Sequence, residues 1–317
     1  MAEFGYALSS EEHEPNDLVK HAQLAERSGF SFALISDHYH PWVGDQGHSP
    51  FVWSVIGALA HATDAMRLGT GVTCPIIRIH PAIIAQAAAT SAAMMPGRFF
   101  LGVGTGENLN EHVVGEGWPV YDVRIAMLEE AVDIMRTLWK GETVTYWGDY
   151  YVVEDARLFT LPDEAPQVMV AASGPNSFEA AGKFGDGLIT VAPKDKAVEQ
   201  FRESGGEGKP TYGQMTVCWA KSEEEGRETV HKIWPNAGLT GELSQELRTV
   251  THFEQAVKML SEAESSENIV CGPDAQAHID GLREYIDAGY DHIYVHQIGP
   301  QQEELSLIHI SEPTRPY

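Results

Sequence analysis

Residues 67–106 read RLGTGVTCPIIRIHPAIIAQAAATSAAMMPGRFFLGVGTG, and this stretch decides the fold class. Arg67–Thr73 is a short run of β-forming residues with glycine punctuation, the pattern of a strand. Pro81–Met95 is too long for a strand, is rich in alanine and opens on a proline suited to the first helical position, so it reads as a helix. Phe99–Val103 is a second apolar run, bounded by Pro96-Gly97 and by Gly104-Thr105-Gly106. A strand, a helix and a strand joined by short connections form a unit whose two strands run parallel.

The same alternation extends both ways along the chain. Phe4–Leu8 predicts a first strand and Asn16–Ser28 a helix capped by Asn16. Phe32–Ser36 is the second strand, followed by helix Phe51–Ala62. Arg124–Trp139 is the helix after the fourth strand, and Thr143–Val153 alternates and turns at Gly148-Asp149 as an inserted hairpin. Val168–Ala172, Leu188–Val191, Met215–Trp219 and His292–His296 bring the strands to eight. Helices are expected at Ser177–Phe184, Lys194–Glu203, Glu223–Ile233 and Asp274–Ala288, and an irregular insertion at residues 235–268. Eight strands alternating with helices predict the α/β class and a single (β/α)8 TIM barrel with insertions. An open doubly wound sheet is the alternative, but the glycines of Gly102–Gly106 follow the fourth strand and lack the spacing of a dinucleotide fold.

Bulk composition narrows the function. The chain has 317 residues, 43% of them hydrophobic, enough for a large core. Lys+Arg number 21 against 46 Asp+Glu, a net charge of −25, which excludes nucleic acid and anionic membranes as partners. No apolar run reaches the roughly 18 residues of a membrane helix, and the N-terminus lacks the pattern of a signal peptide. Cys74, Cys218 and Cys271 have no metal-ligand or disulfide-framework spacing, which points to a reducing cytoplasm. The acidic excess, with nine lysines, reads as adaptation to a high-salt cytoplasm, an ordinary acidic enzyme being the alternative. Leu305–Arg315, LSLIHISEPTR, matches the translation of a transposase sequencing adapter. The barrel is therefore expected over residues 1–304, its last helix starting near Gln301–Glu304, with 305–317 a non-native tail.

A (β/α)8 barrel carries its site at the C-terminal ends of its strands. Those positions hold Ser9-Ser10-Glu11-Glu12, Ser36-Asp37-His38-Tyr39-His40-Pro41-Trp42, Gly71-Val72-Thr73-Cys74-Pro75, Gly104 to His112 and Ser173-Gly174-Pro175-Asn176-Ser177. Carboxylates, imidazoles and an indole converge on one rim, where His38 and Glu107 suit a base and acid pair. Taken singly, each has a plainer reading as a loop cap, a surface histidine, a core indole or a solvated acid. His48, His61, His80 and His112 make no ligand spacing, so no metal is expected.

The segments 36–42 and Gly104–Glu111, with 46–50, Gly148–Tyr151 and Gly185–Gly187, resemble the F420-dependent glucose-6-phosphate dehydrogenase family of luciferase-like oxidoreductases, over nearly the whole chain. The resemblance implies hydride transfer between an alcohol or sugar-phosphate carbon and coenzyme F420, a small-molecule substrate, a homodimer and an archaeal or actinobacterial source. It places His38 as the base, Trp42 over the site, Glu107 as the acid and Glu11 as a second carboxylate. Asp37, Cys74, Asn110 and Ala172-Ser173-Gly174 match coenzyme-binding positions, and Gly71-Val72 matches a non-proline cis peptide that buttresses the ring. The strand-to-helix turn at Ser173–Ser177 can offer free amides to the coenzyme phosphate, a tight turn with Ser or Asn as cap being the alternative. Lys194 matches one base of the family's substrate-phosphate cluster. No base occupies Glu262–Cys271 where another is expected, and Cys74 replaces a threonine, so a different sugar phosphate or a neutral alcohol is equally consistent. An FMN-dependent monooxygenase and a non-catalytic flavin-binding barrel are the other functional alternatives.

If the acidic surface is an adaptation to salt, the melting temperature should rise markedly between low and molar potassium chloride. A salt-indifferent melting curve would identify an ordinary acidic enzyme.

Overall fold

A parallel strand pairs on both edges and is covered on both faces, so its residues are apolar throughout. Phe32–Ile35 and Phe99–Val103 are buried at every position. The computed structural model describes residues 2–193 and 195–308. Its elements are β1 (Glu3–Leu8), α1 (Pro15–Arg27), β2 (Phe32–Ile35), α2 (Val52–Ala62), β3 (Arg67–Thr70), α3 (Pro81–Met94), β4 (Phe99–Val103), α4 (Asn108–Glu111) and α5 (Tyr121–Leu138). Then come the hairpin β5 (Val144–Trp147) and β6 (Val152–Ala156), β7 (Val168–Ala171), α6 (Pro175–Phe184), β8 (Gly187–Thr190), α7 (Asp195–Phe201), β9 (Thr211–Cys218) and α8 (Glu223–Ile233). The chain ends with α9 (Leu243–Glu246), α10 (Val250–Val257), α11 (Glu262–Ser266), β10 (Val270–Cys271), α12 (Ala275–Asp287), β11 (His292–Gln297) and α13 (Gln302–Ile308).

The strands run in the order β9-β11-β1-β2-β3-β4-β7-β8, and β8 pairs back onto β9. That last ladder closes the sheet and rules out the open alternative. All eight expected strands lie in the barrel within a few residues of their expected limits. Side chains alternate across each strand. Phe32, Leu34, Phe100, Met169, Ile189, Tyr212 and Tyr294 fill the interior, while a larger cluster joins the outer strand faces to the helices. The interior rings need glycine beside them. A Cβ on Gly5 would lie 2.3 Å from the Phe32 ring, and one on Gly69 would lie 2.1 Å from the Phe100 ring.

Two local expectations are corrected. Asn16 is not a cap: Pro15 takes the first helical position and Glu14 the cap position, without a side-chain cap bond. Residues 235–268 are not irregular. They form a 3-10 turn at Pro235–Gly238 followed by α9, α10 and α11. Thr249 and Ser261 cap α10 and α11 by accepting from His252 N and Glu264 N. α13 begins where the last helix was expected, and its Leu305 is fully buried.

Gly69→Ala should lower stability by about 1–3 kcal/mol, the usual result of overpacking a filled core. Urea denaturation would read it. An unchanged midpoint would mean that the Phe100 ring has room to move.

Candidate active site

The loop after β2 must hold an imidazole at the barrel mouth, and its backbone is fixed at several points. Asn110 Oδ1 accepts from Tyr39 N and His40 N at 2.9 and 3.1 Å. Ser49 Oγ donates to His38 O at 2.8 Å, and Gln46 Oε1 accepts from Trp42 N at 2.8 Å. The His38 and Trp42 rings meet edge-on with centroids 5.0 Å apart. Trp42 in turn packs on Phe253 of α10 at 5.1 Å, so the helical insertion backs the site.

The carboxylate beside His38 is Glu11, whose Oε1 lies 3.4 Å from His38 Nδ1. Glu11 also accepts from Ser36 Oγ at 2.7 Å and Ser9 Oγ at 3.1 Å. Glu107, the expected acid, accepts from Asn110 Nδ2 at 3.3 Å. His40 turns away: its Nδ1 lies 3.1 Å from Leu109 O and its ring stacks on His112.

Asp37 serves a different partner. It accepts from Thr73 Oγ1 at 2.8 Å and pairs with Arg78 at 2.8 Å. Arg78 also faces Glu111, whose Oε2 accepts from Arg78 N at 2.7 Å and whose Oε1 lies 3.5 Å from Arg78 Nε. All three side chains are almost wholly buried. Burial outweighs the pairing with Arg78 and pushes the Glu111 carboxyl up to about 7. Sequence reading missed Arg78; the available signal was an arginine alone within the apolar run Ile76-Ile77-Arg78-Ile79.

The Gly71–Val72 peptide is cis, as expected. Val72 joins Ala7 and Ala171 as partly exposed apolar residues lying on the interior core. Gly104 lies between two of them, since a Cβ there would come within 2.8 Å of Val72 Cγ2 and 3.5 Å of Ala171 Cβ. The mouth is therefore floored by small and apolar residues. Cys74 is buried beneath the next turn. Gly106, at φ +70°, would bring a Cβ to 2.5 Å from Cys74 Sγ. Ala172 is buried, its N–H donating to Ile189 O at 2.9 Å. The Ser173 and Gly174 amides, expected to be free, both donate to Ser177 Oγ at 3.0 Å. A phosphate at this turn is left with the amides beyond Pro175. Lys194 lies outside the described residues.

The family model described as luciferase-like monooxygenase matches residues 1–292. An F420-dependent glucose-6-phosphate dehydrogenase of Microbacterium testaceum is 34% identical over 313 residues, covering 95% of this chain and 93% of that protein. The chain belongs to the luciferase-like family, in its F420-dependent glucose-6-phosphate dehydrogenase-like branch. Its barrel superposes on an F420-dependent secondary alcohol dehydrogenase solved with an F420–acetone adduct, with a TM-score of 0.90 and 31% identity, covering 98% and 97% of the two chains. The tetrahydromethanopterin reductase of Methanopyrus kandleri shares the luciferase-like fold at a TM-score of 0.79 and 21% identity, covering 98% of each chain.

Glu111 binds its proton more tightly folded than unfolded, since its folded value of about 7 exceeds the ordinary value of 4.5. Its contribution is fully present below about 4.5 and is lost as pH rises through about 7. Glu111→Gln, neutral throughout, should flatten the fall in urea midpoint between about pH 5 and 8. An unchanged slope would show that Glu111 titrates normally.

Proposed function

We propose that this chain oxidises a neutral secondary alcohol, with His38 as base. It is an F420-dependent oxidoreductase acting on CH–OH groups. Coenzyme F420 supplies a two-electron acceptor for the hydride. The rest falls to the protein. Ala7, Val72, Gly104 and Ala171 would carry the ring on their apolar floor, and Trp42 would shield the reacting face from water. Glu11 beside Nδ1 favours the tautomer with its proton there, leaving Nε2 of His38 to take the hydroxyl proton. Glu107, tied to Asn110, would be the acid of the reverse reaction.

The observation carrying this reading is the His38–Glu11 pair beside Trp42, at the mouth of a barrel whose interior core is flanked by Ala7, Val72 and Ala171. The rim supports a neutral substrate. Glu11, Glu12, Glu107 and Glu111 collect there, and Arg78 is committed to Asp37 and Glu111. A dianionic phosphate would meet repulsion from these described residues. The RslO1 monooxygenase of Streptomyces bottropensis shares only the fold, at 20% identity, which leaves an FMN-dependent monooxygenase as the weaker alternative. A substrate panel of 2-propanol and glucose 6-phosphate, followed by loss of oxidised-deazaflavin absorbance, tests the choice. Turnover of the sugar phosphate alone would overturn the neutral substrate.

A homodimer and a cytoplasmic setting belong to the same reading. The packed helices α2 and α3 carry no Asp, Glu, Lys or Arg in a chain of net charge −25. Phe51 and Ile83, beside and on them, are more than half exposed. Two acidic copies can meet with least repulsion on such a face. Free cysteines fit a reducing compartment, and no helix among the described residues is long and apolar enough to cross a membrane.

His38→Ala should cut turnover by roughly 10²–10⁴-fold, the worth of a positioned base, with little change in coenzyme affinity. His40→Ala, whose ring faces Leu109 O and His112, should change turnover far less. The reverse ranking in steady-state kinetics would assign the base wrongly.

A further inference from the structure

On the reading that His38 is the base, its proton must leave before the next turnover, and the structure shows where it can go. Ser9 Oγ lies 3.1 Å from Glu11 Oε2 and 3.3 Å from Glu12 Oε1. Both carboxylates are almost wholly buried. A serine hydroxyl has one hydrogen. Both contacts are two-centre hydrogen bonds when one of the two carboxyls carries a proton; with both ionised, the single hydrogen is shared between them. The Ser36 hydroxyl cannot substitute, because it donates to the same Glu11 oxygen at 2.7 Å.

The Glu12 end is fixed by other donors. Its Oε2 accepts from Gly299 N at 3.0 Å, and its Oε1 lies 3.1 Å from His296 Nε2. On β11, His292 stacks on Tyr212 and Tyr294 lies in the interior cluster. Strand alternation therefore turns His296 inward at the mouth as well. Its side chain is 3% exposed, its Nδ1 makes no hydrogen bond, and Trp234 closes over the ring at 4.6 Å. Neither sequence reading nor the proposed mechanism uses this histidine.

We propose that Glu11 and Glu12, bridged by Ser9, form the store that receives the substrate proton from His38, with His296 Nε2 and Gly299 N fixing the Glu12 carboxyl in place. As Nε2 of His38 takes the hydroxyl proton, Nδ1, which lies 3.4 Å from Glu11 Oε1 without a hydrogen bond in the resting site, closes on that oxygen and gives it its own proton. A half-turn of the Glu11 carboxyl brings the protonated oxygen, which faced His38, round to Ser9, and the proton is then shared across Ser9 with Glu12. The substrate loses one proton and the bridged pair gains one. The C–H electron pair goes to the coenzyme, and no other reactant is consumed. Ser9, Glu12 and His296 are positioning residues in this scheme, since they act through Glu11. The titratable groups facing the pair are His38 from the β2 loop, His296 from β11, Cys218 from β9, Tyr6 from β1 and His13 from the same loop.

The test begins on the whole chain without coenzyme or substrate. Infrared spectra across a pH series read the protonated-carboxyl band. Wild type should give one band that titrates in two coupled steps, shifts in D2O, and disappears from its place in both Glu11→Gln and Glu12→Gln. Ser9→Ala should leave two independent titrations, and Ser9→Thr should restore the coupling. Independent carboxyls in wild type would overturn the store, whether or not any alcohol is turned over. Failure of 2-propanol and glucose 6-phosphate to react, with coupling intact, would instead sink the functional reading. With an active substrate, Ser9→Ala should lower kcat about 10-fold, less than loss of the base itself, at unchanged KM. Ser9→Thr should recover it, and a KM effect alone would also overturn the store.

Discussion

Arg78 is the cross-link on which the mouth of this barrel depends. Its guanidinium reaches Asp37 in the loop after β2, and its backbone N–H and Nε reach Glu111 at the end of α4, after β4. Arg78 itself belongs to the segment after β3, which also carries the cis Gly71–Val72 peptide and Thr73. Three successive βα loops are thus tied at one buried point, and these loops carry His38, Val72 and Glu107. A lone buried guanidinium or carboxylate would be costly, and breaking such a pair typically costs about 3–5 kcal/mol. One cation cannot balance two buried anions. Burial resolves the excess by raising Glu111 to about 7, so that the cluster can hold a proton and approach neutrality.

The same logic operates over the whole surface at lower intensity. At −25, the chain repels itself, and every place where it must meet an anion or another copy has to be locally exempt. The helices α2 and α3, which carry no Asp, Glu, Lys or Arg, are where that repulsion is weakest and where the proposed dimer would meet. The coenzyme's phosphate needs another such place, and the α6 turn supplies less than its sequence suggests, because Ser177 Oγ already takes the Ser173 and Gly174 amides.

How much of this was legible in sequence follows from the range of the interactions. The strands were readable because each is a short continuous apolar run, and residues 67–106 contain a complete β-α-β unit in local order. The rim was readable for the same reason, since site residues follow directly on those runs. What was hidden depends on pairing across the fold. Glu107 and Glu11 were both placed near His38, but only the closure of β1 against β2 shows that Glu11 is its neighbour. Arg78 lies in an apolar stretch whose partners are 41 and 33 residues away. The helices of residues 235–268 were missed because they are only 4, 8 and 5 residues long, too short for a helical period to stand out from the chain around them; Phe253 of α10 packs against Trp42.

The barrel mouth divides into two halves with opposite chemistry, and the division follows from strand alternation. On the β3–β4–β7 side the last inward positions are small or apolar, giving a floor of Val72, Gly104 and Ala171. On the β11–β1–β2 side the inward positions continue as His296, Ser9 and Ser36, with Glu11 and Glu12 among them. A hydride carries its electrons from carbon to ring and gains from an apolar, water-free contact. The accompanying proton needs a succession of acceptors with fixed positions. Putting both functions on one surface would expose the ring to protons or bury the acids without partners. Trp42 is edge-on to His38, and in the proposed function the alcohol carbon would face the floor while its oxygen faces the imidazole. The separation of hydride from proton is therefore already present in the order in which eight strands arrive at the rim.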